Sequence, residues 1–167
     1  MSLFISKSIF EDIDSLMTIY EAAVCYMRKC GNINQWINGY PGRDIIIRDI
    51  ESGVSYTIRD ENEQICGVFS MIPGIDPTYR CIEGQWIDDS KPYLTIHRIA
   101  SNGNTSGIAK AAFDYALNIT GNVRVDTHED NAKMQRVLLE NGFVYCGIIY
   151  LLDGNSRLAY QKLNNNV

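Results

Sequence analysis

The residues best placed to do chemistry lie between Tyr93 and Ala109, YLTIHRIASNGNTSGIA. An alternating strand pattern holding His97 runs into small polar residues and two glycines, Gly103 and Gly107, and then into an alanine-rich helix. A strand that feeds a glycine-containing loop at a helix N-terminus gathers unpaired backbone N–H groups at one spot, and the helix dipole adds partial positive charge. That chemistry is phosphate binding. A second run, Asp126-Thr127-His128-Glu129-Asp130, sets Asp126, His128 and Asp130 at alternating positions that would suit a metal on an extended strand. The chain has only two histidines and no second cluster to complete a coordination shell. The run therefore reads as a strand end and helix cap, and no metal is expected.

Periodicity gives the elements that must position these residues. Leu3 to Ile9 reads as a strand. Glu11 to Cys30 reads as a helix, with Ile13, Leu16, Met17, Tyr20, Val24 and Met27 on one stripe and Gly31 as its stop. The loop Asn32 to Gly42 carries Trp36 and Tyr40, and a shorter helix spans Arg43 to Ser52 before Gly53. Val54 to Ile58 and Gln64 to Ile72 pattern as a hairpin, followed by a loop-rich stretch from Pro73 to Pro92 that holds Trp86. Then come a strand Tyr93–Ala100, a helix from Gly107 to about Ile119 with Ile108, Ala112, Tyr115, Ala116 and Ile119 inward, and a strand Asn122–Thr127. A helix from Asn131 to Asn141, capped by Asp130 and stopped by Gly142, precedes a last hairpin, Phe143–Leu152 and Arg157–Leu163. The Asn-rich end is expected to fray. The order predicts one α/β domain over residues 1–167, a mixed sheet of about seven strands with helices on both faces.

Composition narrows the partners. At 167 residues the chain suits one well-buried core, and 46% apolar with 21% charged residues is ordinary for a soluble domain. A net charge of -5 argues against nucleic acid or an anionic membrane, since both need a basic face. The N-terminal apolar run breaks at Glu11 and Asp12, too early for a signal peptide, and no stretch is long enough to span a bilayer. Five cysteines without metal-like spacing read as reduced thiols in a cytoplasm.

Three phosphate cradles can be tested on the loop. A Walker A loop needs Gly-Lys-Ser/Thr, but Gly107 is followed by Ile108 and Ala109. A dinucleotide fingerprint needs three glycines, and Gly103 and Gly107 do not supply them. Asn104-Thr105-Ser106-Gly107-Ile108-Ala109 instead resembles the Gln/Arg-x-x-Gly-x-Gly/Ala signature of the GNAT superfamily of N-acetyltransferases. Downstream, Asn131 opens a helix that ends in Asn141-Gly142-Phe143, similar to a second GNAT segment at the same spacing, and the resemblance extends from Leu3 to Leu163. It implies a mostly antiparallel sheet with a splayed central strand pair, and acetyl-CoA as cosubstrate. Pyrophosphate would lie on Gly103, Asn104, Thr105, Ser106, Gly107, Ile108 and Ala109, pantetheine on the backbone of Ile99 and Ser101, and Asn131 on the cofactor arm. Trp36 and Tyr40 would fall in the acceptor pocket.

Two residues depart from the family pattern. Asn104 replaces the leading Gln/Arg, a change that a loop acting through backbone N–H groups tolerates. Leu138 stands where many GNAT enzymes carry the tyrosine that protonates the leaving thiolate. A thiol pKa of roughly 8.5 still makes thiolate a tolerable leaving group. An amine acceptor, with a pKa of roughly 10.4, needs a base or a water relay. His97 is the best base by position. Thr95, His97, Ile99 and Ser101 share a face if no bulge intervenes, and the plainer role for His97 is to tie strands together. Tyr145 and Cys146 could serve as acids near the thiol, and packing is the favoured role for each. With no activated nucleophile, the expected route is direct attack in a ternary complex. The rival readings are a coenzyme-A-binding sensor without catalysis and an unrelated nucleotide-binding module. A homodimer would cover the sheet edge left by the final hairpin.

Overall fold

The computed structural model describes residues 2–164. Most of the fraying expected of the Asn-rich end therefore concerns residues outside the described ones. The apolar stripe of the first helix explains the first layer. After β1 (Phe4–Lys7) and a 3-10 turn, α1 (Ile13–Lys29) buries Ile13, Leu16, Ile19 and Tyr20 and ends at Gly31, whose φ of +84° suits glycine. α2 (Arg43–Glu51) adds Ile46 to the same cluster, which packs on Val68 and Ala100 of the sheet. The opposite face carries α3 (Ile108–Thr120) and the larger core, with Phe69, Ile96, Phe113, Val125, Leu138 and Phe143 at its centre.

The remaining elements are β2 (Ser55–Arg59), β3 (Ile65–Pro73), β4 (Glu83–Gly84), β5 (Leu94–Ser101), β6 (Asn122–Thr127), α4 (Ala132–Glu140), β7 (Val144–Tyr150) and β8 (Ser156–Leu163). All eight described strands form one sheet in the order β1-β2-β3-β5-β6-β8-β7-β4. Only β5 and β6 pair in parallel; every other neighbouring pair is antiparallel.

The expected order and mixed sheet hold, with two local corrections, at the cap of α4 and at Ile119. The sheet has eight described strands where about seven were expected, and the stretch after β3 docks β4 on β7, partly covering the edge that the final hairpin was expected to expose. Asn131, not Asp130, caps α4, its Oδ1 accepting the Met134 N–H at 3.1 Å, while the Asp130 carboxylate accepts from Asn34. Ile119 is 55% exposed, since the buried stripe of α3 ends at Ala116 and Leu117. Trp86 lies in the expected loop region and is buried there: the Arg124 guanidinium lies between the Trp86 and Tyr93 rings at 3.9 and 4.0 Å. Gly67 shows why α3 sits so close to the sheet, since a β-carbon there would come within 2.5 Å of Ile108 Cγ2.

Candidate active site

The site begins where two strands part. β5 and β6 pair at Leu94–Val123 and Thr95–Arg124, and no further register pair joins them along Ile96–Ser101 and Val125–Thr127. A V-shaped gap opens in the sheet, and a cavity of about 620 Å³ occupies it. Trp36, Tyr40, His97, Ile99 and Asn131 line this one cavity together with Asp76 and Asp126. The other expected cofactor residues, Ser101 and Gly103 to Ala109, continue from the open end of β5.

The main chain of β5 faces the gap because of a bulge. Asn102 N–H donates to Cys66 C=O at 2.9 Å, while Met71 N–H donates to Val54 C=O at 2.8 Å on the other side of β3. The even-numbered residues of β3 therefore face β5, and the ladder partners are Ala100 with Val68 and His97 with Ser70. Arg98 and Ile99 both stand opposite Phe69, outside the ladder. Ser101, one residue from the bonded Asn102, turns its N–H and C=O toward the gap.

This bulge overturns the shared face expected of Thr95, His97, Ile99 and Ser101, because one extra residue reverses the alternation. His97 points to the α1–α2 side, where its neighbours across the strand are Ser70 and, beyond the bulge, Ala100 in the α1 cluster. Ile99 packs against the α3-side core. Ser101 lies opposite Gly67, which abuts Ile108 of α3. The base candidate and the cofactor-side residues thus occupy opposite faces, joined only through the gap.

At the open end, Gly103 and Gly107 both have φ of +79°, and added β-carbons there would meet nothing within 4 Å. The α3 ladder begins with Ala111 N–H on Gly107 C=O, so the N–H groups just before it point out of the helix end. The first N–H groups of the loop are engaged within it: Gly103 N–H donates to Ser101 Oγ at 3.4 Å, and Asn104 and Thr105 N–H donate to the Asn102 carboxamide oxygen at 3.0 and 3.1 Å.

On the α1–α2 side, Trp36 packs edge-on to Tyr20 with ring centroids 5.7 Å apart and tilts against Tyr40 at 6.3 Å. Arg28 holds this loop by donating to the carbonyls of Asn32, Gln35 and Trp36. Asn131 Nδ2 donates to Gln35 Oε1 at 3.0 Å, which ties the loop to the start of α4 across the gap. The tip of the β7–β8 hairpin, including Leu151 and Arg157, closes the remaining wall.

His97 is held by two carboxylates. Its Nε2 lies 3.1 Å from Asp76 Oδ2 and its Nδ1 3.7 Å from Asp126 Oδ2. A carboxylate can only accept, so Nε2 carries the proton and Nδ1 is the nitrogen turned to the second acid. Burial pushes the Asp76 carboxyl up, but hydrogen bonds from His97 and Thr78 prevail and hold it at about 2. Tyr79 donates to Asp126 Oδ2 at 2.6 Å; burial first, and then the Asp126 charge, raise the Tyr79 phenol well above its usual range. Both Asp76 and Tyr79 arrive on the segment between β3 and β5, which sequence periodicity could not place. Asp76-Pro77-Thr78 does carry a cap signature, and Asp76 Oδ1 accepts the Thr78 N–H.

Arg98 was not singled out by sequence. Its φ is +50°, and its guanidinium forks onto Asp49 of α2 at 2.8 and 3.0 Å. Leu138 is fully buried against the α3-side core, so that position offers no acid. Cys146 is buried in a cluster with Tyr79, Trp86 and Tyr93, outside the cavity, and burial raises its thiol pKa. Tyr145 packs edge-on to Tyr160. Within Asp126–Asp130, Asp126 turns to Tyr79 and His97, whereas His128 Nδ1 accepts the Asp130 N–H.

A mixed sheet whose one parallel pair parts beside a glycine-led helix N-terminus is the fold of the GNAT acetyltransferases. No protein-family model matches the chain, and no curated protein matches it. Solved structures do. An acetyltransferase of the GNAT family from Streptococcus agalactiae is 34% identical, with 98% of this chain and 96% of that chain covered and a TM-score of 0.88. A GNAT-family acetyltransferase from Listeria monocytogenes shares the fold at 19% identity, covering 96% and 94% with a TM-score of 0.70. So does a chain of the NatC complex bound to Gag peptide and CoA, at 12% identity, 98% and 99% coverage and a TM-score of 0.64. The chain described here belongs to the GNAT family. Among its described residues no helix is long and apolar enough to cross a membrane.

Proposed function

We propose that this chain, as a single catalytic domain, transfers an acetyl group from acetyl-CoA to an amine by direct attack in a ternary complex. The observation that carries this reading is the parting of β5 from β6 beside the open N-terminus of α3. The N–H groups from Ser106 to Ala109 suit pyrophosphate, and Gly107 keeps a β-carbon off the approach. The main chain of Ile99, outside the β3 register, and of Ser101, whose N–H and C=O turn away from β3, suits the amides of a pantetheine arm. The NatC complex, one chain of which shares the fold, is bound to CoA, and that supports the same cosubstrate here.

The acceptor enters from the α1–α2 side, between Trp36, Tyr40 and the hairpin tip. The main-chain N–H groups of the bulge polarise the thioester carbonyl, because they have no ladder partner to satisfy them. Asp76 holds His97 with Nε2 protonated, and Nδ1 takes the proton of the attacking amine directly or through one water. The new N–C bond forms, the C–S bond breaks, and the thiolate takes a proton from water. The resulting imidazolium sits between two carboxylates and returns its proton to the hydroxide that the water leaves.

The test is thiol release from acetyl-CoA across an amine panel. Release with at least one amine, reduced about a hundredfold in His97→Gln, is the expected result; unchanged turnover and pH profile in that variant would remove His97 as the base. The burial of Leu138 favours a second reading, a coenzyme-A-binding domain without turnover. Tight acetyl-CoA binding with no amine consumed would establish it.

A further inference from the structure

The bulge that opens β5 is held in a conformation its residue does not favour. Arg98 has φ of +50°, where a glycine rests freely and a residue with a β-carbon is strained. Strain of this kind persists only when surrounding contacts over-determine it, and it gathers at functional sites. The contacts here come from α1, α2, β3 and the loop between the two helices. Nε donates to Asp49 Oδ2 at 2.8 Å and reaches Ser70 Oγ at 3.2 Å, Nη2 donates to Asp49 Oδ1 at 3.0 Å, and Nη1 donates to the Tyr40 hydroxyl at 3.0 Å. The Tyr20 hydroxyl donates to the Arg98 carbonyl at 3.0 Å. The side chains of Arg98 and Asp49 are only 13% and 11% exposed, so the pair sits in a low-dielectric setting where a satisfied network is rigid.

We propose that Arg98 is a positioning residue: anchored on Asp49 and Tyr20, it fixes the bulge so that the ladder-free N–H at Arg98–Ile99 meets the thioester carbonyl of acetyl-CoA. This rests on the acetyl-CoA reading above. The direction of the clamp explains why an arginine occupies a place glycine would hold without strain. A glycine would leave the bulge free to rotate, whereas the planar fork on Asp49 sets one orientation. The bond from Nη1 to Tyr40 also links that orientation to the wall of the acceptor cavity, so the clamp touches both halves of the site without contacting the reacting atoms itself.

The test measures the thioester rather than turnover alone. Full-length chain is loaded with acetyl-CoA carrying a ¹³C-labelled acetyl carbonyl, and the carbonyl stretch of the bound thioester is read by isotope-edited infrared spectroscopy, beside the Kd for CoA. The variants are Arg98→Lys, which keeps the charge but loses the fork, and Tyr20→Phe, which removes one hydroxyl and stays foldable if the first does not. In the unsubstituted chain the stretch is expected below its value in water, and in both variants it returns toward that value while the CoA Kd changes by less than about threefold. The kcat for any acceptor that works falls by about tenfold or more, with the KM for acetyl-CoA unchanged, as expected when one polarising hydrogen bond is misplaced. Three results overturn the proposal: an unshifted carbonyl in the unsubstituted chain, a shift that survives in the variants, or a shift lost only in step with CoA binding. A shift that behaves as expected with no amine acetylated leaves the clamp in place and refutes acetyl transfer.

Discussion

Replacing Asp76 with Asn should flatten the acid limb of the protein's stability. The carboxylate is 17% exposed, faces His97 Nε2 at 3.1 Å and accepts both the N–H and the hydroxyl of Thr78, at 2.9 and 2.7 Å. These bonds overcome the opposing effect of burial and hold its pKa at about 2, against an ordinary 3.8. At about 1.4 kcal/mol per pH unit, that depression contributes about 2 kcal/mol to stability. Because the folded-state value is the lower one, the contribution is complete above about pH 4 and disappears as pH falls toward 2. Urea unfolding is the suitable assay, since urea leaves charge interactions unscreened. At pH 7 Asp76→Asn should be less stable by up to about 2 kcal/mol, with a smaller loss if the Asn carbonyl still accepts from Thr78. Between pH 4 and pH 2 the unsubstituted chain should lose about 2 kcal/mol more than the variant. Parallel losses over that window would show that the His97–Asp76 pair does not have the strength described.

Two further substitutions probe the cofactor side. Gly107→Ala puts a β-carbon on a residue with φ of +79° and no chain atom within 4 Å; about 1–2 kcal/mol of strain should lower the Tm, and the β-carbon on the phosphate approach should weaken CoA binding roughly tenfold by calorimetry. Leu138→Tyr should not raise turnover, because the position is fully enclosed by the α3-side core; it should instead cost about 1–3 kcal/mol by overpacking, read as a lower Tm.

Much of this architecture was readable from the chain. The stripe of α1, the Gly107 loop and the two hairpins follow from local periodicity and turn chemistry, and the structure keeps their order. What escaped depends on long-range placement. Arg98 adopts a left-handed conformation without the glycine that would signal a bulge, so the reversal of His97 relative to Ile99 left no local trace. Asp76 and Tyr79 lie in a stretch with no periodicity, and only its passage across the sheet end brings them to His97 and Asp126. Asp49 reads as one more surface acid of a short amphipathic helix until Arg98 meets it. Asp130 and Asn131 are both good caps, and the competition was settled by Asn34, which engages the aspartate.

Amide hydrogen exchange with and without CoA tests the central claim most directly. CoA lying in the parted strands should slow exchange at Ile99, Ser101 and Ser106 to Lys110, with little change along β1–β2 and β7–β8. Protection confined to the segment between β3 and β5, or no protection around Gly107, would contradict it.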